Sequence, residues 1–362
     1  MNKKCLAGAI CTLASLYAGT IHAQSSVTLY GLIDANIEYT THNAGASPEG
    51  KSRFALNSAG LSPSRWGMRG AEDLGNGTRA VFTLEGGFNP DTGNATQGGR
   101  LFGRQAWVGL EFGSGRHKLT AGRHYTPLFI MLAGYTPGGY SGYEPSPPFI
   151  VGGNLREDNS IQYQGSFGPI RAVAHWSFGE QPGTMTGSSG YGMGLEYAQG
   201  PFGVTIAYGD LNSAKSATGD YTRTRKAAIA VRYQVTDDLR AVAAYRYNKN
   251  DTAAMGSAIR DDLWWFGLNY RASTPLMLTL GAFYDDMKSA RTGTAVVDPK
   301  NPWQFTFIAT YSLSKRTDIY LATAYARNSA LNFETYNSQP AYVIAANKRN
   351  QAGVGLGIRH RF

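Results

Sequence analysis

The last twelve residues, Gln351 to Phe362, alternate without a break. Val354, Leu356, Ile358, His360 and Phe362 share one parity; Gly353, Gly355, Gly357, Arg359 and Arg361 share the other. Successive side chains of a strand point to opposite faces, so this stretch is a strand with one greasy face and one face of glycine and arginine. It ends on an aromatic. A soluble sheet would leave that edge open, whereas a strand that pairs with the first strand of a closed barrel satisfies its last backbone groups in hydrocarbon.

The same period recurs along the chain. Trp66 and Met68 oppose Arg65 and Arg69. Ala80, Phe82 and Leu84 oppose Val81, Thr83 and Glu85. Ala172, Ala174, Trp176 and Phe178 oppose Arg171, Val173, His175 and Ser177. Tyr191, Met193, Leu195 and Tyr197 oppose Gly192, Gly194, Glu196 and Ala198, and Trp303, Phe305, Phe307 and Tyr311 oppose Gln304, Thr306, Ile308 and Ser312. In a membrane barrel the apolar parity faces lipid and the other faces the lumen. Such alternation also explains a mean hydropathy of -0.29 in a chain with 22 Tyr, 16 Phe and 45 Gly. No apolar run beyond residue 23 approaches the roughly 20 residues of a membrane helix.

Connections sort by length. Short ones fall near 73–77, 113–116, 167–169, 199–202, 236–238, 272–275 and 314–317. Long ones fall near 42–53, 89–99, 125–157, 179–189, 211–222, 251–258, 288–301 and 329–349. These separate 16 antiparallel strands in one all-β barrel, with short turns on one rim and long loops on the other. The loop from Tyr125 to Glu157 is out of scale, and it is rich in proline and aromatics around Pro137 to Phe149. A barrel of this size is an open aqueous channel unless something enters it. The expectation is that this third loop folds inward; the alternative is a loop lying outside.

At the front, Lys3 and Lys4 precede the apolar run Cys5 to Gly19, and Ile21-His22-Ala23 stands where a cleavage site belongs. Residues 1–23 read as a secretory signal peptide, leaving a single barrel domain, 24–362. Both cysteines, Cys5 and Cys11, lie in that segment, so the exported chain has no thiol chemistry. Removing Lys3 and Lys4 lowers the formal charge only from +9 to +7.

Several functions are disfavoured. His175 has no Asp or Ser at a diagnostic spacing, so no catalytic residue is expected. His117 and His124 lie seven apart, on opposite faces of a strand, which makes a poor metal pair. Asp237-Asp238 and Asp261-Asp262 sit at strand ends and read as solvated rims. The basic residues are spread over strands, not clustered with stacking aromatics, so nucleic acid is not an expected partner. No cofactor is expected.

Charged residues of lumen parity are the remaining chemistry. Arg65, Glu85 and Arg104 fall on successive strands, expected near mid-strand, opposite to the lipid face. An Arg facing lipid at mid-depth would cost about 2–4 kcal/mol, so the lumen is where these side chains belong. Arg123 has ambiguous parity, and Arg69, Arg79 and Arg240 sit near short turns as vestibule charges.

Ser25-Ser26-Val27-Thr28-Leu29-Tyr30-Gly31-Leu32-Ile33-Asp34 resembles the mature start of β-proteobacterial general diffusion porins. Ser64 to Gly70 with Glu72-Asp73-Leu74-Gly75, Leu101 to Leu110, Ser312 to Asp318 and Gly357 to Phe362 are similar to that family too. The resemblance spans the whole exported chain. It implies a homotrimer in the outer membrane, surrounded by lipid and lipopolysaccharide, each subunit a passive pore for small hydrophilic solutes and ions. It also implies a terminal Phe362 read by the barrel-assembly machinery. The family pairs wall arginines with acids on the third loop. Carried over, Arg65, Glu85, Arg104 and Arg156 are constriction residues on the wall, and Glu144, the one acid between Tyr125 and Arg156, is their counterpart on the loop. Arg outnumbers acid there, so anions are the expected preference. The alternatives are a substrate-specific channel of the same fold, and an outer-membrane enzyme or adhesin.

Overall fold

A strand in hydrocarbon can satisfy its N–H and C=O groups only on its neighbours, so every strand needs two of them. In a computed structural model, which describes residues 26–145, 155–252, 256–292, 295–297, 299–336 and 341–362, every wall strand has them. The expected signal peptide and the loop stretch Ser146 to Phe149 lie outside the described residues.

The chain runs up and down through β1 (Ser26–Asn43), β2 (Lys51–Ser58), β3 (Arg65–Gly75), β4 (Thr78–Gly87), β5 (Gln105–Phe112) and β6 (His117–Tyr125). A short helix, α1 (Pro127–Leu132), follows. The wall resumes with β7 (Arg156–Phe167), β8 (Ile170–Ser177), β9 (Gly190–Gln199), β10 (Phe202–Asn212), β11 (Thr222–Gln234) and β12 (Leu239–Thr252). It is completed by β13 (Gly256–Arg271), β14 (Leu276–Thr292), β15 (Ala295–Val297), β16 (Trp303–Ser312), β17 (Thr317–Arg327) and β18 (Asn350–Arg361). β18 returns to β1 in the register Leu32↔Arg361 to Thr40↔Gly353 and closes the barrel. Gly31 and Phe362 exchange both backbone hydrogen bonds at 3.1 Å, so the last residue completes the seam.

The 18 segments make 16 wall strands. β2 and β3 share one place, β2 pairing with the upper half of β1 and β3 with the lower half, and β15 only extends the hairpin off β14. The break between β2 and β3 departs from the expected strand opening near Ser64. It is held by Asp34, which points inward and accepts N–H from Leu61 at 3.0 Å and Ser62 at 2.8 Å. The polar loop expected at 42–53 is correspondingly shorter, because β2 begins at Lys51.

The alternation predicted from sequence sorts the faces. Ile37, Leu56 and Leu356 are 63%, 57% and 64% exposed on the outside, while Asp34, Asn36, Glu38 and Gln304 are buried on the inside. A continuous exposed apolar belt is stable only against lipid. The seven short connections all join strands on one rim, and the third loop lies within the barrel.

Candidate pore constriction

The third loop enters from the end of β6. Thr126 caps α1 with its hydroxyl accepting from the Phe129 N–H, and Pro127 occupies the first turn, where a missing N–H costs nothing. Leu128, Met131 and Leu132 are buried against Val173, Ala207 and Ala228 on the inner wall. Beyond the helix the chain keeps to the wall, whose side chains satisfy its backbone. Trp265 donates to the Tyr135 carbonyl at 2.8 Å and Asn269 to that of Pro137 at 2.9 Å. Gln304 donates to the Tyr143 carbonyl at 2.9 Å, and Gly142 N–H reaches the Gly60 carbonyl at 3.0 Å, in the gap between β2 and β3. The loop therefore follows the inside of the barrel from β8 round to β1.

The uncovered arc, β3 to β7, carries the wall charges expected from the sequence; a second inward group, Lys226, Arg246, Asp261 and Asp285, is buried on β11 to β14. Glu85 is bound by Arg104 Nε at 2.7 Å and by the Tyr30 hydroxyl at 3.0 Å. The Tyr125 hydroxyl accepts from Arg104 Nη2 at 2.7 Å and from Arg156 Nη2 at 3.0 Å. The Arg156 guanidinium also lies over the Tyr125 ring, 4.5 Å from its centre, and Phe129 of α1 stacks on that ring at 4.4 Å. Arg65 interacts electrostatically with Arg104 and Glu85 and has no hydrogen-bond partner among the described residues. Asp158 binds Arg123 at 2.6 Å and Arg100 at 2.8 Å. Arg104 Nη1 and Arg156 Nε are buried without a partner among the described residues. The guanidinium groups of Arg65, Arg100, Arg104, Arg123 and Arg156 thus gather about Glu85 and Asp158, while a third acid beside them, Glu157, turns away to accept from the Ser177 hydroxyl.

The family profile for Gram-negative porins matches residues 9–331. The chain belongs to the Gram-negative porin family. It is 30% identical to an outer membrane porin protein of Bordetella pertussis, with all of both chains covered. It is 30% identical to outer membrane porin protein 32 of Delftia acidovorans, over 95% of this chain and 96% of that one. Among solved structures, the anion-selective porin from Comamonas acidovorans superposes with a TM-score of 0.77 at 25% identity, covering 93% of this chain and all of that one. This porin is accordingly a passive channel of the outer membrane, not an enzyme.

Within the porin, the structure brings Glu85, Arg104 and Arg156 into one network and leaves Arg65 beside it. Arg104 is not mid-strand. It is the last loop residue before β5, and its N–H donates to the Glu85 carbonyl at 3.0 Å. The expectation for Glu144 is corrected. It is fully buried, its two oxygens accept the N–H groups of Gly138 and Ser141, and it braces its own loop without facing the arginines. Burial pushes its carboxyl up to about 7 from 4.5, against the pull of those hydrogen bonds.

Sequence reasoning missed Tyr30, Tyr125, Arg100 and Asp158. Tyr30 shares the inward parity of Asp34, which was the available signal. The ambiguity at Arg123 is real: the pairing of β6 with β7 shifts register between Gly122 and His124. His175 lies under α1, with its Nε2 3.8 Å from Glu157. Among the described residues no three metal-ligating side chains come together.

Proposed function

We propose that this porin passes anions in preference to cations, and that the uncovered arc from β3 to β7 sets the preference. The observation that carries this reading is the cluster of five guanidinium groups about Glu85 and Asp158, with Glu157 turned to Ser177 and the one candidate loop acid turned away. An anion crossing the narrow part trades water for N–H groups of Arg65, Arg104 and Arg156. Conduction needs sites that bind favourably but release readily, and guanidinium groups already shared with Glu85 and Tyr125 meet that demand. Phe129 and Tyr125 tie the arginines to the infolded loop, so the two sides of the pore are held as one unit. The likeness to an anion-selective porin supports the reading.

Residues 1–23 are removed on export, Phe362 presents the closing strand to the assembly machinery, and the folded chain works as a homotrimer amid lipid and lipopolysaccharide. A trimer form of OmpT from Vibrio cholerae, which shares the fold at 14% identity, is consistent with that assembly. The test is the zero-current potential across a planar bilayer under a KCl gradient. Wild type should lie toward the Cl⁻ value, more so in dilute salt, because the Debye length shrinks from about 10 Å at 0.1 M to about 3 Å at 1 M. Arg65→Glu with Arg104→Glu should move it toward the K⁺ value. A cation-selective wild type, or a double variant of unchanged selectivity, overturns the assignment.

A further inference from the structure

Below the constriction, toward the short turns that face the periplasm in such a barrel, the inner wall holds a further set of charges. Three carboxylates there each lie between two cations. Glu111 stands directly opposite Arg79 on one side and Lys118 on the other, and Arg79 pairs with it. Glu196 has Arg171 at 3.8 Å and Arg232 at 3.3 Å, and it also accepts from the Tyr135 hydroxyl of the loop at 2.9 Å. Asp318 has Arg359 at 2.9 Å and Arg361 at 2.8 Å. Two more cations have no carboxylate partner among the described residues. Arg69 lies 5.5 Å from the centre of the Tyr30 ring, and Arg240 donates to the Asn269 amide oxygen at 2.8 Å. A fourth acid, Asp34, stands opposite Arg359, but it is completely buried and taken up by Leu61, Ser62 and Tyr320.

The cations reach further into the lumen than the acids. Side chains of Arg79, Arg171, Arg232 and Arg361 are 48%, 40%, 31% and 41% exposed, whereas those of Glu111, Glu196 and Asp318 are 18%, 13% and 7% exposed. Long stems carry the guanidinium groups into water while the shorter carboxylates stay against the wall. On the turns themselves Arg116, Arg271, Lys315 and Arg316 stand beside Glu72, Asp73, Asp237 and Asp238, so the excess lies inside the mouth and not on its edge. The long-loop side is different. There Glu38 faces Arg53 at 3.6 Å, and Asp261 and Asp285 are buried together with Arg246 and Lys226.

We propose that the periplasmic vestibule is a second, anion-concentrating filter in series with the constriction, and that Arg69, Lys118 and Arg240 are specificity-determining residues within it. Arg69 and Arg240 have no carboxylate, and the one beside Lys118 is held by Arg79. Rings of Arg and Lys serve anion pores in this way, and low-dielectric walls focus the field of a lining of one sign. The filter rests on the anion preference proposed for the constriction and adds a direction to it, because one mouth carries the excess and the other does not. Three unit charges about 10 Å from a passing ion shift the local ratio of Cl⁻ to K⁺ about fourfold at 0.1 M salt, where the Debye length is about 10 Å. At 1 M, where it is about 3 Å, the shift is only about 1.2-fold.

The test is the zero-current potential of a single inserted porin between about 0.1 M and about 1 M KCl, with the gradient then reversed across the same molecule. A charged mouth acts on selectivity only when dilute salt bathes it. Wild type should therefore show a Cl⁻ to K⁺ permeability ratio about twofold or more higher with dilute salt at the short-turn mouth than with dilute salt at the loop mouth. Arg69→Gln, Lys118→Gln and Arg240→Gln together should abolish the difference. Arg69→Gln with Arg240→Gln, which breaks no ion pair and is the gentler change to the fold, should reduce it. Equal ratios in the two gradients for wild type, or a difference kept in full by the variants, overturns the proposal. A preference for K⁺ in both gradients with the difference intact overturns the constriction reading and supports the vestibule.

Discussion

Glu144 makes the seating of the third loop depend on pH, in a direction that can be worked out. The carboxyl is completely buried within the loop and is raised from 4.5 to about 7 by that burial. If the loop leaves the wall, the group returns to water and to its ordinary value. Between about 4.5 and 7 the seated loop therefore holds a proton that the released loop has lost, and its stability falls as pH rises. The benefit is complete below 4.5 and is lost as pH climbs through 7. Going from pH 5 to pH 8 weakens seating by roughly 2.5 kcal/mol, at 1.36 kcal/mol for each pKa unit, or about 70-fold in the opening equilibrium. The electrostatic neighbour Tyr140 is itself pushed well above 10, so it does not titrate in this window. Hydrogen exchange of the Gly138 and Ser141 amides, which donate to the carboxyl, reads the equilibrium once intrinsic rates are divided out. Protection should rise tenfold to a hundredfold from pH 8 to pH 5 and should be flat in Glu144→Gln. A flat profile in wild type, or a slope kept in the Gln variant, refutes the reasoning.

Gly267→Val should push the loop off the wall, since even a Cβ there would lie 2.3 Å from Pro137 Cγ; the overpacking costs about 1–3 kcal/mol and should appear as a changed single-channel conductance with the barrel intact by circular dichroism. Phe362→Asp, or its deletion, should sharply lower the amount of heat-modifiable, SDS-resistant trimer in the outer membrane, because both remove the outward aromatic and the deletion also removes the backbone pair with Gly31.

Strand parity was legible because a membrane barrel enforces it at every position: a residue on the wrong face costs kcal/mol, so faces read from Trp303 to Tyr311 or Val354 to Phe362 reappear as exposed and buried in the structure. Four of the seven tight turns were legible because glycine and asparagine take the positive φ they need, as at Asn76 and Gly77; those near 236–238, 272–275 and 314–317 have neither residue and show only as breaks between alternating runs. The break at 59–64 was not, since it depends on Asp34, a residue 27 or 28 positions away from the N–H groups it holds. Nor was the place of Glu144. One carboxyl in a loop can face water or staple its own backbone, and local sequence does not distinguish these; tertiary burial does.

The path of the loop was written in the sequence in a form that strand periodicity alone does not decode. Lumen-parity positions of an open water-filled barrel have no reason to shun a Cβ, yet several of them are glycine. A Cβ on Gly194 would lie 2.4 Å from Met131, on Gly203 2.8 Å from the Tyr135 hydroxyl, on Gly281 3.4 Å from Pro137 and on Gly355 2.0 Å from the Tyr143 hydroxyl. Read in the order of the loop residues they meet, these glycines trace its course from α1 to Tyr143. Of the glycines of the final strand, which first marked the inner face, Gly355 makes room for Tyr143, while Gly353 lies against Leu331 and Gly357 against Tyr320. The arc from β3 to β7 carries arginine, tyrosine and glutamate at inward positions instead, and it is the arc the loop leaves open. Gly194, Gly203, Gly281 and Gly355 mark wall that the loop covers, although Gly67 and Gly109 of the open arc also lack a side chain, and Lys226, Arg246, Asp261 and Asp285 are buried charges on the far wall. By seating against those first four glycines the loop leaves Arg65, Arg104 and Arg156 on the arc it does not cover.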